Sequence, residues 1–291
     1  MNKARVAIIG TGNIGAYLLI KIQRSSIFEC TLFAGRNIDS PGMQFAANLG
    51  VRVSDKSINA IMEDPECCDI VFDATSANIH LIHAPILKSL NKYTIDLTPS
   101  LVGEMCIPVL NLDECLLKDN VNMVTCGGQA TVPIACAIAK IQPYIAYFEI
   151  VASISSKSAG PGTRANVDEF TQTTKDALIK FTGVKNAKAI IILNPAEPPI
   201  LMHNTIYALA SNPDMPAIQN AVKEMELRIQ EYVPGYKVTL DPVYENGRIT
   251  TMITVVGNGD YLPKYSGNLD IITCAAVQIA EKYARRMANE E

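Results

Sequence analysis

The most reactive pattern in the chain lies near its middle, in Asn122-Met123-Val124-Thr125-Cys126-Gly127-Gly128-Gln129-Ala130-Thr131-Val132-Pro133. An apolar strand end runs into Cys126, followed by two glycines and a helix expected to carry Pro133 in its first turn. A cysteine at the positive end of a helix is expected to have a lowered pKa and to favour the nucleophilic thiolate. Gly127 and Gly128 would leave backbone N–H groups open to an oxyanion, and Gln129 could add a side-chain donor. The chemistry this suggests is nucleophilic catalysis by the Cys126 thiolate. The other cysteines, Cys30, Cys67, Cys68, Cys106, Cys115, Cys136 and Cys274, lie mostly in apolar runs. There is no CxxC spacing and only three histidines are present, so no metal site is expected. These thiols read as small buried hydrophobes.

A second constellation opens the chain. Gly10-Thr11-Gly12-Asn13-Ile14-Gly15 is a GxGxxG run directly after the strand-like Arg5–Gly10 and before a helical segment. The first glycine permits the tight turn, the second lets a pyrophosphate approach the backbone, and the third allows close helix–strand packing. A purely structural glycine turn is the alternative. An acid that would bind the adenosine ribose is expected about 20 residues further on. That stretch instead reads Phe33-Ala34-Gly35-Arg36-Asn37. Arg36 is a cation suited to a 2′-phosphate, so NADP is expected to be accepted alongside NAD, unless Arg36 is only a solvated loop residue. Thr75 and Ser76 follow another buried strand, on the sheet edge where ligands gather. They line the nicotinamide side, cap the next helix, or do both.

These residues need a scaffold. Arg5–Gly10, Cys30–Ala34, Val51–Val53, Ile70–Ala74 and Tyr93–Leu97 read as buried strands. Helical stretches lie between them, around Asn13–Ser25, Met43–Leu49 and Ile79–Leu90. Alternation at this spacing predicts an α/β, Rossmann-type doubly wound parallel sheet. After about residue 140 the pattern changes. Phe148–Ser156 and Ala189–Leu193 read as strands, Asn166–Phe181 and Met215–Tyr232 as helices. Val238–Tyr244 and Ile249–Val256 flank the hairpin turn Glu245-Asn246-Gly247. Pro242 marks the first of these as an edge or a bulge. The expectation is an α+β catalytic and dimerisation domain over 128–265, and a dinucleotide-binding domain over 1–127 with 266–291, onto which the helix Leu269–Met287 packs back.

The chain resembles the acylating acetaldehyde dehydrogenase family, whose bacterial members work with 4-hydroxy-2-oxovalerate aldolase. The resemblance runs nearly end to end, through VAIIGTGNIG (6–15), FDATSA (72–77), IDLTP (95–99), NMVTCGGQAT (122–131), IVASISSKSAGPGTRANVDEFT (150–171), NPAEPP (194–199), YVPGY (232–236), YLP (261–263) and SGNLDI (266–271). It implies that Cys126 forms a hemithioacetal with a short aldehyde, that hydride passes to NAD or NADP, and that coenzyme A removes the acyl group. It further implies cofactor contacts at Thr11–Ile14, at Ser158-Ala159-Gly160-Pro161-Gly162-Thr163-Arg164-Ala165-Asn166, and at Asn268. Read on its own, the Ser158–Arg164 stretch is a mobile Gly/Pro loop able to meet an anion through Arg164. Relatives carry an aspartate after the NPAEPP loop that is proposed to help deprotonate the coenzyme A thiol. Asn204 stands there in this chain, with His203 beside it as a substitute base or as an exposed loop residue. The stretch between Tyr236 and Tyr261 is also shorter than in aldolase-associated relatives, and Gly35-Arg36 differs from the acidic ending of NAD-preferring ones.

Composition sets the outer limits. The chain of 291 residues is 48% hydrophobic and 19% charged, with a net charge of −4. No basic face for nucleic acid and no membrane-spanning run are expected. Without a signal-peptide pattern at Met1–Arg5, a cytoplasmic homodimer or homotetramer is expected. Two other functions fit the same elements. One is a phosphorylating semialdehyde dehydrogenase, which would need a basic anion pocket. The other is a catalytically silent cofactor-binding or assembly protein.

Overall fold

In the computed structural model, which describes residues 3–290, two compact units divide the chain. The first comprises the residues up to Met123 together with those from Thr273 on, and the second runs from Val124 to Ile272. The first is wound around seven strands, β1 (Ala4–Ile9), β2 (Phe28–Ala34), β3 (Val53–Ser54), β4 (Ile70–Asp73), β5 (Tyr93–Asp96), β6 (Glu104–Met105) and β7 (Asn120–Asn122). Their order is β3-β2-β1-β4-β5-β7-β6 and every pairing is parallel. Helices α1 (Asn13–Arg24), α2 (Pro41–Asn48), α3 (Asn59–Glu63), α4 (Ala77–Ser89) and α5 (Pro108–Cys115) form the connections. β4 and β5 are buried throughout, as covering on both sheet faces requires. Strand order reverses between β1 and β4, and at that switch point the carboxyl ends of the two strands present Gly10 and Ala74.

The second unit begins with α6 (Cys126–Ile141) and continues with β8 (Ile145–Ser155), α7 (Pro161–Ala165), α8 (Val167–Thr182), β9 (Ala187–Asn194), β10 (Met202–Ala210), α9 (Met215–Gln230), β11 (Tyr236–Glu245) and β12 (Arg248–Val255). Its sheet runs β11-β12-β10-β8-β9, antiparallel except for the β8–β9 pair. Along β8 and β10 burial alternates with period two. Phe148, Ile150, Ala152 and Ile154 are buried on one strand, and Met202, Asn204, Ile206 and Ala208 on the other. Register places Asn204 between Ala152 and Ile253, so these three share one face. The β11–β12 turn is Asn246-Gly247, with φ of 52° and 78°, the left-handed pair a two-residue hairpin demands. Pro242 lies on the edge strand and within a register shift between Leu240 and Val243, so both sequence expectations hold there.

Helix α10 (Gly267–Glu290) closes the chain. Its residues from Thr273 on belong to the first unit, where Tyr283 stacks on Tyr93 with ring centroids 3.7 Å apart. No described helix is long and apolar enough to cross a membrane.

Candidate active site

Cys126 is the first residue of α6, and the turn that delivers it is strained. Val124 has φ of 58°, a conformation that costs a β-branched residue roughly 1–3 kcal/mol. Thr125 is the N-cap; its hydroxyl accepts the Gly128 N–H at 2.8 Å. The Thr174 hydroxyl donates to the Phe170 carbonyl at 2.8 Å, so in the 2.7 Å Thr125–Thr174 contact it is Thr125 that donates. The Gly128 N–H is therefore held by the cap rather than open to an oxyanion, as the sequence had suggested. Both glycines also serve close packing. A Cβ on Gly127 would lie 2.8 Å from Phe170 Cζ and 3.3 Å from Ala152 Cβ, and one on Gly128 would lie 2.7 Å from Val124 Cγ1. Pro133 lies inside α6 rather than in its first turn.

A second expectation fails at the thiol itself. Burial pushes the Cys126 thiol up to about 12, and the N–H groups of Gly127 and Cys126, which point at the sulfur, lower it only in part. Desolvation of the charged form outweighs the helix end.

Asn204 lies on the sheet face that α6 covers. Ala152, its β8 neighbour, touches Gly127, and Tyr236 donates its buried hydroxyl to the Ala130 carbonyl at 2.7 Å. Asn204 is 1% exposed, yet neither its Oδ1 nor its Nδ2 has a hydrogen-bond partner. His203 lies on the opposite, exposed face of β10, its Nδ1 2.8 Å from Thr254 Oγ1. Neighbours on a strand point to opposite faces, so β10 brings Asn204 toward the start of α6 and carries His203 away from it. Gln129 is buried in the first turn of α6.

In the first unit the first and third glycines of the GxGxxG run are required by packing. Gly10 has φ of 109°, and a Cβ there would lie 2.4 Å from the Ala74 carbonyl oxygen. A Cβ on Gly15 would lie 2.0 Å from the Gly10 carbonyl oxygen. Gly12 faces open space, and no side chain caps α1 there, so the first N–H groups of Asn13, Ile14 and their neighbours are not met by a capping side chain. A loop in this form fits a pyrophosphate. Thr11 is held from above, where Gly35 and Gly42 pack against it and Ser40 Oγ lies 3.2 Å from its hydroxyl. Arg36, next to Gly35, is exposed and forms no ion pair among the described residues.

Comparison with known proteins decides between the families these features allow. Residues 126–263 match the family model of the prokaryotic acetaldehyde dehydrogenase dimerisation domain. Acetaldehyde dehydrogenase of Pectobacterium atrosepticum is 54% identical over 281 residues, 96% of this chain and 95% of that one. That of Geobacillus stearothermophilus is 52% identical over 287 residues, 98% of this chain and 97% of that one. The chain belongs to the acetaldehyde dehydrogenase family. Among solved structures, aspartate semialdehyde dehydrogenase II of Vibrio cholerae superposes with a TM-score of 0.67 at 14% identity, covering 98% of this chain and 99% of that one. The Candida albicans aspartate semialdehyde dehydrogenase with NADP gives 0.66 at 10%, covering 97% and 100%. At such identities the likeness is one of fold alone.

In this acetaldehyde dehydrogenase family member the Ser158–Asn166 stretch is ordered by its own contacts rather than left as an open loop. A 3₁₀ turn over Ser156–Ser158 leads into α7, and the Ser158 hydroxyl donates to the Ser155 carbonyl at 2.9 Å. Arg164 donates to the Ser156 carbonyl and hydroxyl at 2.9 and 2.8 Å and to the Ala159 carbonyl at 3.2 Å, so its guanidinium ties the turn together. Gly160, Pro161, Gly162, Thr163 and Ala165 complete the stretch, and Asn166 donates to the Gly162 carbonyl at 2.5 Å. Asn268, at the start of α10, is 2% exposed and its Oδ1 has no hydrogen-bond partner. Thr75 donates both its N–H and its hydroxyl to Asp73 Oδ1, while Ser76 begins α4 without a side-chain capping bond.

Sequence reasoning did not find the strained Val124, the unmet amide of Asn204, or the two histidines buried beneath Thr75. Only the last left a signal, in His80 and His83 set among the apolar residues Ile79, Leu81, Ile82 and Ala84.

Proposed function

We propose that this protein is an acylating aldehyde dehydrogenase, converting acetaldehyde or a similar short aldehyde to its acyl-coenzyme A with NAD or NADP as oxidant. The observation that carries this is the placement of Cys126 at the start of α6, with two backbone N–H groups aimed at its sulfur. Deprotonated Cys126 attacks the aldehyde carbon, and the developing oxyanion lies beside the same backbone donors, with the Gln129 amide as a further donor. When bound, the oxidised nicotinamide takes the hydride from the hemithioacetal carbon. The carbonyl re-forms as a thioester on Cys126. The coenzyme A thiol then attacks that carbonyl, forming acyl-coenzyme A and returning the Cys126 thiol, with one proton released overall. Asn204 cannot accept that proton. Its unmet donor and acceptor support a positioning role for the incoming thiol or the acyl oxygen, and His203, on the other face of β10, does not share that place.

The residues of the first unit that we assign to the dinucleotide are Gly10–Gly15, Arg36, Thr75 and Ser76; a cofactor contact at Ser158–Asn166 and Asn268 is supported by the family resemblance alone. Arg36 supports acceptance of NADP. The phosphorylating alternative is disfavoured because the cations of the 156–166 segment are already engaged. Arg164 binds backbone oxygens, and Lys157 pairs with Glu197 at 2.6 Å. The fully retained cysteine motif disfavours a silent scaffold. We further propose a homodimer or a tetramer built from dimers, through the exposed face of the second-unit sheet, where Ile192, Leu209, Val243 and Met252 form an apolar surface. An aldolase partner is a weaker reading, supported by the resemblance alone. Six of the eight cysteines are buried as small apolar side chains, and we place the protein in the cytoplasm, where thiols stay reduced.

The test is nicotinamide reduction by acetaldehyde, propanal and butanal, with NAD or NADP, with and without coenzyme A. Sustained turnover that requires coenzyme A is expected. Turnover that requires phosphate instead would overturn the assignment.

A further inference from the structure

Beneath the dinucleotide loop lies a buried polar network that the proposed chemistry does not use. Asp73, at the end of β4, is fully buried. Its Oδ2 accepts from Nδ1 of both His80 and His83, each at 2.8 Å, and its Oδ1 accepts the N–H of Thr75 at 3.1 Å and the Thr75 hydroxyl. Both rings must carry their proton on Nδ1 to donate there. On the far side of the His80 ring, Nε2 lies 3.0 Å from Asn120 Nδ2 and 3.6 Å from Asp96 Oδ2. Burial alone would raise the Asp73 carboxyl, but the bonds from His80 and His83 hold it well below the usual carboxylate range. A buried carboxylate with four donors is fixed in place.

What it fixes is the Ala74–Thr75 turn, and that turn is the wall behind the first glycine of the dinucleotide loop. The Gly10 Cβ position lies 2.4 Å from Ala74 O and 3.0 Å from Thr75 N, while Ala74 N donates to Ile9 O at 2.7 Å. The Gly10 carbonyl in turn abuts Gly15, so Gly10 cannot shift without moving the start of α1.

We propose that His80 and His83 are positioning residues for the dinucleotide, acting through the Asp73 carboxylate and the Ala74–Thr75 turn on the shape of the Gly10–Gly15 loop. The inference rests on the dinucleotide reading above. Removing one donor, as in His83→Leu, lets the carboxylate and the turn relax. Cofactor affinity then falls, with no direct effect on the thiol of the second unit. His83→Asn keeps an N–H donor near the place of Nδ1 and recovers most of the affinity. Asp73→Asn keeps the shape but turns one acceptor into a donor, and behaves like His83→Leu.

The experiment measures the dissociation constant of the reduced nicotinamide cofactor by its fluorescence, in the wild type and the three variants. It adds the Michaelis constant for the cofactor, kcat, and the rate at which iodoacetamide modifies Cys126. The expected result is about tenfold weaker cofactor binding in His83→Leu and Asp73→Asn, the scale of one charge-assisted hydrogen bond. The Michaelis constant should rise far more than kcat falls, Cys126 modification should be unchanged, and His83→Asn should be close to wild type. Should His83→Leu not fold, the two shape-conserving variants carry the comparison. Cofactor binding within twofold of wild type in Asp73→Asn, or in a folded His83→Leu, overturns the proposal even if melting temperatures drop. A wild type that binds no nicotinamide cofactor fails differently and removes the dinucleotide reading with it.

Discussion

At the scale of single residues the account turns on two buried groups held in costly states. The Cys126 thiol is pushed up to about 12 by burial, so at neutral pH it is almost wholly protonated. Only the thiolate reacts with an alkylating agent. Modification of Cys126 by iodoacetamide, followed on its own peptide by mass spectrometry, is expected to accelerate about tenfold per pH unit from pH 7 to 10. A plateau near pH 8 would show that the helix end, not burial, governs the thiol. Asn204 is the second such group, since both polar atoms of its amide are buried and unmet. Leucine has nearly the same shape without that penalty, so Asn204→Leu is expected to stabilise the fold by about 1 kcal/mol or more. The same change should lower turnover, a pattern that marks a group kept for function rather than packing. A lower melting temperature, or full activity, would count against a role for the amide.

At the scale of elements, the two turns that present chemistry differ in how openly the sequence declares them. GxGxxG was legible because its glycines answer separate demands, and close packing explains those at Gly10 and Gly15, while Gly12 borders open space. Gly12→Ala points into open space and is expected to leave the melting temperature nearly unchanged while weakening cofactor binding. Gly15→Ala would place a methyl group 2.0 Å from the Gly10 carbonyl oxygen and is expected to lower it clearly. Thermal melts of the two variants check this, and equal melting temperatures would mean that the loop is not packed as described. The turn before Cys126 was less legible. A β-branched valine reads as extended strand, so nothing in the residue type announced the φ of Val124. The Asn246-Gly247 hairpin could be read residue by residue because those types favour the left-handed region. β10 was harder to see, since the inward position that would complete its alternation is filled by a polar residue, Asn204. An amide stands where a strand pattern calls for an apolar side chain, and the pattern broke there.

At the scale of the whole molecule, the second-unit sheet buries one face and leaves apolar side chains on the other. Met252 and Leu209 are 41% and 40% exposed, and register puts both on the face away from α6. A family model named for dimerisation covers this unit. Met252→Lys combined with Leu209→Lys is expected to shift the protein from dimer or tetramer to monomer in light scattering after size exclusion, with secondary structure retained. An unaltered oligomer would move the interface elsewhere.

The central claim is that the substrate is carried on Cys126. Incubation with acetaldehyde and the oxidised cofactor, without coenzyme A, followed by intact-mass and peptide analysis, tests it most directly. One acetyl group is expected on the Cys126 peptide, lost on adding coenzyme A with release of acetyl-coenzyme A, and no label in Cys126→Ala. Cofactor reduction with no acyl group on Cys126, or with the label unmoved by coenzyme A, would contradict it.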